Sequence, residues 1–195
     1  LKIMQKNRLT GVLFDYACHS TSLGWANFII SGDLHGLAEQ FIESYLGNGV
    51  IAPGFAGASG DIDPWYRILP GFETKNGWIP EPVLMGTMLG QEVVHVLRAM
   101  DSTNVGGSIK SDFLELHLPG KPKGEWEIPQ NYRTTSLNLT VAKVGDVAFV
   151  GLGGEVLSEI GLAIKAASPF KQTFIITHCN GTSGYLAPQH LYVEK

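Results

Sequence analysis

A chain of 195 residues with 44% hydrophobic content can bury one sizeable core, and this composition excludes the disordered and fibrous classes. The formal charge of −4, with Lys and Arg scattered along the sequence, leaves no basic stripe to neutralise phosphates, so nucleic acid is not an expected partner. Apolar runs such as 147–152 and 173–177 are far too short to span a bilayer, so no transmembrane segment is expected.

Residues 11–18 (Gly-Val-Leu-Phe-Asp-Tyr-Ala-Cys) are apolar and of strand length, which predicts a largely buried strand. His19, Ser20 and Thr21 then sit at its carboxyl end, where open α/β sheets place their sites. There His19 is either a turn histidine satisfied by a backbone carbonyl or a ligand aimed out of the strand end. A polar loop leads to a predicted helix over 34–46, with Leu37, Phe41 and Tyr45 along one face and Gly47-Asn48-Gly49 ending it. Residues 50–55, interrupted by Pro53, read as an edge or short strand running into the Gly57-Ala58-Ser59-Gly60-Asp61 loop. Residues 65–82 look irregular.

Residues 83–100 carry apolar side chains at helical spacing, with Gly86 and Gly90 as weak points and His95 as a structural histidine. Alternation over 105–118 predicts a half-exposed strand, and 119–129, with three prolines, a surface loop. Residues 137–144 and 146–152 read as antiparallel strands around Gly145. Gly153-Gly154-Glu155 is expected to enter a helix running to about Ala167, with Glu155 in the first turn, where the positive helix end favours an acid. Residues 171–179 read as a buried strand ending in the turn-rich loop Asn180-Gly-Thr-Ser-Gly-Tyr185.

Strands alternating with helices, and one antiparallel pair, predict an α/β fold with a mixed β-sheet layered with helices, as one domain over 1–195. The chain opens on Leu1 a few residues before a strand and closes at Tyr192-Val-Glu-Lys195 after a loop, as expected of a domain incomplete at both ends. Cys18 and Cys179 are too few for a disulfide framework; small buried hydrophobes, a disulfide or a metal thiolate all remain open for them. Asn138-Leu-Thr140 and Asn180-Gly-Thr182 fit the glycosylation pattern, which matters only in a eukaryotic secretory setting.

Four loops follow predicted strands: at His19, at 59–63, at Glu155 and at 180–185. If those strands are parallel neighbours, the loops share one sheet edge. His19, Glu155 and Tyr185 would then offer nitrogen and oxygen donors suited to zinc, although no His-Glu-x-x-His spacing is present. Gly57-Ala-Ser59-Gly60-Asp61 does not match Gly-x-Ser-x-Gly, so a hydrolase nucleophile elbow is not indicated. It also lacks the lysine and spacing of a phosphate loop. A cysteine hydrolase using Cys18 beside His19 is disfavoured, because adjacent strand side chains point to opposite faces.

Ala17-Cys-His19-Ser-Thr21-Ser22, followed by Ile30-Ser-Gly-Asp33-Leu-His-Gly36, resembles a paired motif of the neutral/alkaline, non-lysosomal ceramidases and their bacterial relatives. Gly60-Asp61-Ile62-Asp63-Pro64-Trp65 is similar to that family's Gly-Asp-Val-Ser-Pro-Asn hexapeptide, Val150-Gly-Leu-Gly-Gly-Glu155 to its Gly-x-x-x-Glu helix entry, and Asn180-Gly-Thr-Ser-Gly-Tyr185 to its Asn-x-Tyr-x-x-Tyr loop. The resemblance implies a secreted, periplasmic or cell-surface zinc hydrolase of sphingolipid metabolism that cleaves the amide of ceramide. It implies zinc ligands at His19, Glu155 and Tyr185, with Tyr185 also at the reacting centre. Asp33, Asp61 and Asp63 would orient ligands, water or substrate, and Ser59 and Gly60 would lie on the substrate side.

Two departures stand out. The family's first zinc histidine and an arginine near the substrate lie upstream of the His19 motif, and the ten residues before Gly11 contain no histidine. The hexapeptide serine is replaced by Asp63, which adds charge beside the metal and widens the expected substrate to a related amide or ester, or a sugar-linked or peptidic compound. The competing expectation is a non-catalytic relative that keeps the fold as a binding or surface module.

Overall fold

The computed structural model describes residues 1–24, 27–64, 81–101, 107–119 and 134–191. Most of the irregular segment expected at 65–82, most of the 119–129 loop, Trp65 and the end at 192–195 lie outside those residues. By internal contacts the chain divides into two units, residues 1–56 with 62–104, and residues 57–61 with 105–195.

The first unit opens with a hairpin of β1 (Lys2–Gln5) and β2 (Arg8–Val12). Its two turn residues, Lys6 and Asn7, have φ of 49° and 62°, the left-handed geometry that matches strand twist in a two-residue connection. The apolar run 11–18 is not one strand: β2 ends at Val12 and β3 spans Phe14–Tyr16. The break has a cause, since β2 pairs with β1 while β3 pairs in parallel with β4 (Gly54–Ala56), so the run changes ladder midway. Cys18 and His19 therefore lie beyond the last strand residue. Gly54 is required where it stands, because a Cβ there would lie 2.4 Å from the Phe14 ring.

Helix α1 (Asp33–Leu46) forms as expected, buries Leu34, Ala38 and Ile42, and ends at Gly47 with φ 62°. Its polar side chains also serve the neighbouring strand: Glu43 accepts from the Ala52 amide at 2.9 Å, and Glu39 from the Gly54 amide at 2.8 Å. These carboxylates satisfy backbone donors that an edge strand would leave open. Helix α2 (Glu81–Ala99) packs on α1 through the glycines read as weak points. A Cβ on Gly86 would lie 2.6 Å from the Leu37 Cβ and 2.9 Å from the Leu34 carbonyl, and one on Gly90 would lie 2.6 Å from Phe41. Val12, Phe14, Ala38, Ile42, Val50, Ala52 and Val94 make the core.

The second unit holds a four-stranded sheet in the order β5–β6–β7–β9, from β5 (Ile109–Pro119), β6 (Thr134–Val144), β7 (Val147–Leu152) and β9 (Gln172–Ile176). Two junctions are antiparallel and the β7–β9 junction is parallel, so the sheet is mixed. Gly145, at φ 59°, makes the tight β6–β7 turn. Helix α3 (Ser158–Ala167) covers one face, and Ala58, Leu137, Leu152, Val156 and Ile175 form the core, with Ile160 and Ile164 packed on it. Two further strands of two residues each, β8 (Glu155–Val156) before α3 and β10 (Tyr185–Leu186) after β9, pair in parallel. Glu155 is thus a strand residue and not in the first turn of the helix, where Glu159 stands instead. Among the described residues no helix is long and apolar enough to cross a membrane.

The glycine contacts separate two opposing effects. Helix propensity alone predicts that Gly→Ala stabilises by about 0.5–1 kcal/mol at an interior helical position. Gly36→Ala, where an added Cβ meets nothing within 4 Å, should follow that rule. Gly86→Ala and Gly90→Ala should instead destabilise by ~1–3 kcal/mol through overpacking, read as a fall in urea midpoint at constant slope.

Candidate functional site

The loop after β3 is built around Asp33. This residue is 3% exposed, and its Oδ1 accepts from Ser22 Oγ at 2.5 Å and the Leu34 amide at 2.7 Å, while Oδ2 accepts from the Leu23 amide at 3.1 Å. Asp33 thereby ties both ends of the 22–33 excursion together and adopts a φ of 49° to do so. His19, half-buried, donates its backbone amide to the Ile62 carbonyl at 2.9 Å, which joins the first motif to the hexapeptide segment. Thr21 Oγ1 donates to Asp63 Oδ1 at 3.4 Å across the same junction, and the Asp63 side chain is exposed.

One neighbouring pair is not evident in the sequence. Ser20 Oγ lies 2.6 Å from His35 Nδ1, and His35 Nε2 lies 3.1 Å from the Tyr16 carbonyl. Burial pushes the His35 ring below the ordinary histidine value, against the opposing pull of the Tyr16 carbonyl and of Glu39, Asp33 and Asp15. Its place in the first turn of a helix behind a buried strand was visible, but a partner 15 residues away in a loop was not. Cys18 is buried, and its thiol is pushed up to about 11 by that burial and by Asp63 and Asp33, which keeps it protonated at neutral pH. Cys18 and Cys179 are both free thiols.

In the second unit, the parallel junction of β7 and β9 sends both following segments off one end of the sheet, as expected for the Glu155 and 180–185 loops. The second segment is laced to the first. The amides of Cys179, His178 and Ser183 donate to the carbonyls of Leu152 (2.9 Å), Gly154 (3.1 Å) and Gly153 (2.7 Å). Asn138 donates its side-chain amide to the Asn180 carbonyl, and Asn180 donates to Thr140 Oγ1 at 2.9 Å. These bonds deliver Tyr185 into register opposite Glu155, with the Glu155 amide bound to the Gly184 carbonyl at 2.8 Å. Register partners on adjacent strands project to the same face, about 5 Å apart at the backbone. Glu155 and Tyr185 thus share one face of this short ladder, and carboxylate and phenol oxygens are both of the donor type zinc accepts.

The residues expected on the substrate side are integrated into this frame. Ser59 is buried at 4% exposure. The Gly60 amide donates to the Val156 carbonyl at 2.8 Å, and a Cβ on Gly60 would lie 2.9 Å from Leu157 and 3.0 Å from the Glu155 carbonyl. Asp61 accepts from the Ser158 amide at 2.7 Å and from Ser158 Oγ at 2.9 Å, so it caps α3, whose own N-cap, Leu157, has no capping side chain. Slight burial would raise the Asp61 carboxyl, but the two bonds from Ser158 and one from its own backbone hold it below the ordinary aspartate value. Among the described residues, no group of three His, Cys, Asp or Glu side chains gathers into a metal site.

No family model and no curated protein matches the chain. Solved structures do. Neutral ceramidase from Pseudomonas aeruginosa is 17% identical with a TM-score of 0.70, over 93% of this chain and 39% of that one. A ceramidase complexed with C2 is 15% identical with a TM-score of 0.73, over 92% of this chain and 40% of that one. The chain spans about two fifths of the length of these enzymes and shares their mixed α/β fold.

Two substitutions test the frame. Asp61→Ala should destabilise by about 1 kcal/mol at neutral pH through loss of the α3 cap. Because the folded-state pKa is depressed, that difference is fully present above the ordinary aspartate value and should close as pH falls through the lowered one, in paired thermal melts. Gly60→Ala should lower the melting temperature at every pH, since its clash is steric.

Proposed function

We propose that this chain is part of a ceramidase-like, zinc-dependent amidohydrolase acting on ceramide or a related N-acyl substrate. The observation that carries the reading is the registered Glu155–Tyr185 pair, set at the end of a sheet whose fold is shared with ceramidases. In this reading Glu155 and Tyr185 are zinc ligands, and His19 is a further candidate ligand. Zinc held there would acidify water and polarise the substrate carbonyl, so that no protein nucleophile is needed for amide cleavage.

The chain's own residues then divide the remaining work. Tyr185, 58% exposed, would coordinate through its phenolic oxygen and so stand at the reacting centre beside the amide. Asp33 and Asp61 act through the backbone, since their carboxylates are engaged in holding the 22–33 loop and the start of α3. Asp63 is the specificity element. A carboxylate in place of a neutral hydroxyl favours a substrate with a cationic or multiply hydroxylated end over ceramide itself. A secreted, periplasmic or cell-surface location accompanies the reading.

The test uses the full-length protein. Elemental analysis should find about one zinc per chain, and Glu155→Ala should lose it together with amide hydrolysis, by more than the roughly 10–100-fold that loss of an outer-shell partner costs. Asp63→Ser should shift preference toward ceramide over a cationic N-acyl substrate. A folded protein that is free of zinc and inert toward N-acyl amides would overturn the enzyme reading and leave a binding module.

A further inference from the structure

His35 is 7% exposed and holds one position through both ring nitrogens. The Tyr16 carbonyl can only accept, so Nε2 carries the ring proton and Nδ1 presents a lone pair. Ser20 must therefore donate its hydroxyl proton to Nδ1, across 2.6 Å. This is the arrangement of nucleophile, base and orienting group that activates a serine, with a backbone carbonyl as the orienter. Asp33 does not fill that role, because its oxygens accept from Ser22, Leu23 and Leu34.

Ser20 is exposed, and it lines a cavity of about 320 Å³ with Thr21, Leu23, Asn27, Ile29, Ser31 and Asp33. That volume suits a small ligand; hydroxyl and amide groups with two aliphatic side chains, beside an Asp33 carboxylate already satisfied by Ser22, Leu23 and Leu34, suit a polar ligand that is not an anion. We propose that Ser20 and His35 form a nucleophile–base dyad that takes the acyl group of a small polar carboxylic ester bound in this cavity. Burial supports the base, since a ring held below the ordinary histidine value is neutral and able to accept a proton at pH 7.

The step balances within the site. Ser20 Oγ bonds to the ester carbonyl carbon as its proton passes to His35 Nδ1, the carbon–alkoxide bond breaks, and Nδ1 returns the proton to the leaving alcohol. Water then attacks the acyl-Ser20 ester, gives its proton to Nδ1, and the acid departs as Ser20 Oγ is reprotonated. Neither residue is among the zinc ligands named above, so the chemistry stands apart from amide hydrolysis.

The probe is diisopropyl fluorophosphate, applied to the full-length protein in EDTA and again with zinc, with the adduct located by peptide mass mapping. Stoichiometric modification of Ser20 is expected under both conditions. It should be absent in Ser20→Ala and slowed at least roughly 100-fold in His35→Gln, the scale of a lost general base. An unmodified Ser20 in folded protein, or an undiminished rate in His35→Gln, overturns the proposal. Should His35→Gln fail to fold, the wild-type rate decides. It must rise through one ionisation below the ordinary histidine value, set by burial and by the facing Glu39, Asp33, Asp15 and Tyr16 groups, and a flat profile overturns the dyad.

Discussion

The pairing of β8 with β10 is the constraint on which the placement of Glu155 and Tyr185 depends. Two residues on each side cannot hold a ladder alone, and isolated two-stranded pairs are marginal in water. This ladder persists because its flanks are tied down: Gly60 binds the Val156 carbonyl, the Leu157 amide binds the Leu186 carbonyl at 3.0 Å, and Val156 is fully buried. Each bond is worth about 1 kcal/mol net, yet an unmade one in a buried setting costs more. Register matters more than strength here. A slip of one residue would turn Tyr185 to the opposite face from Glu155.

The first unit solves a different problem, holding a long loop with exposed Phe28, Ile29 and Ile30 on a small scaffold. Helix α1 does this with its polar side chains as much as with its apolar face. Asp33 gathers the loop ends, His35 takes Ser20 and the Tyr16 carbonyl, and Glu39 and Glu43 receive the amides of Gly54 and Ala52. Four side chains along one helix thus join β3, the loop and β4, and the apolar contacts of Ala38 and Ile42 lie among them. The loop carries the candidate residues while rigidity comes from the helix, the usual division between connections and scaffold.

Long periodic elements were legible in the sequence: α1, α2, the β6–β7 hairpin and β9 all lie within a few residues of where spacing and turn residues put them. The mixed sheet followed from their alternation. Glu155 and Tyr185 were identified through motif resemblance, but their setting was misread, because a strand of two residues has no period and exists only through hydrogen bonds to distant chain. The split at Leu13 was hidden for a related reason, since apolar character does not record a change of partner. Gly86 and Gly90 looked like flaws because local propensity counts against them, whereas the approach of α1 that requires them is tertiary.

Each unit contains one of the two cysteines, and the two thiols differ in setting. Cys18 is buried behind β3 with its thiol held well above the ordinary value, whereas Cys179 is half-buried and lies where a Cβ on Gly151 would be 2.4 Å from its sulfur. A thiol-exchange reagent therefore reaches Cys18 only through opening of its unit, whereas the half-buried Cys179 is open to it from the folded state. The protein thus contains a natural reporter, by which thiol exchange at Cys18 with increasing denaturant reads the opening free energy of the first unit without any added label, with Cys179 as the internal reference for reagent reactivity.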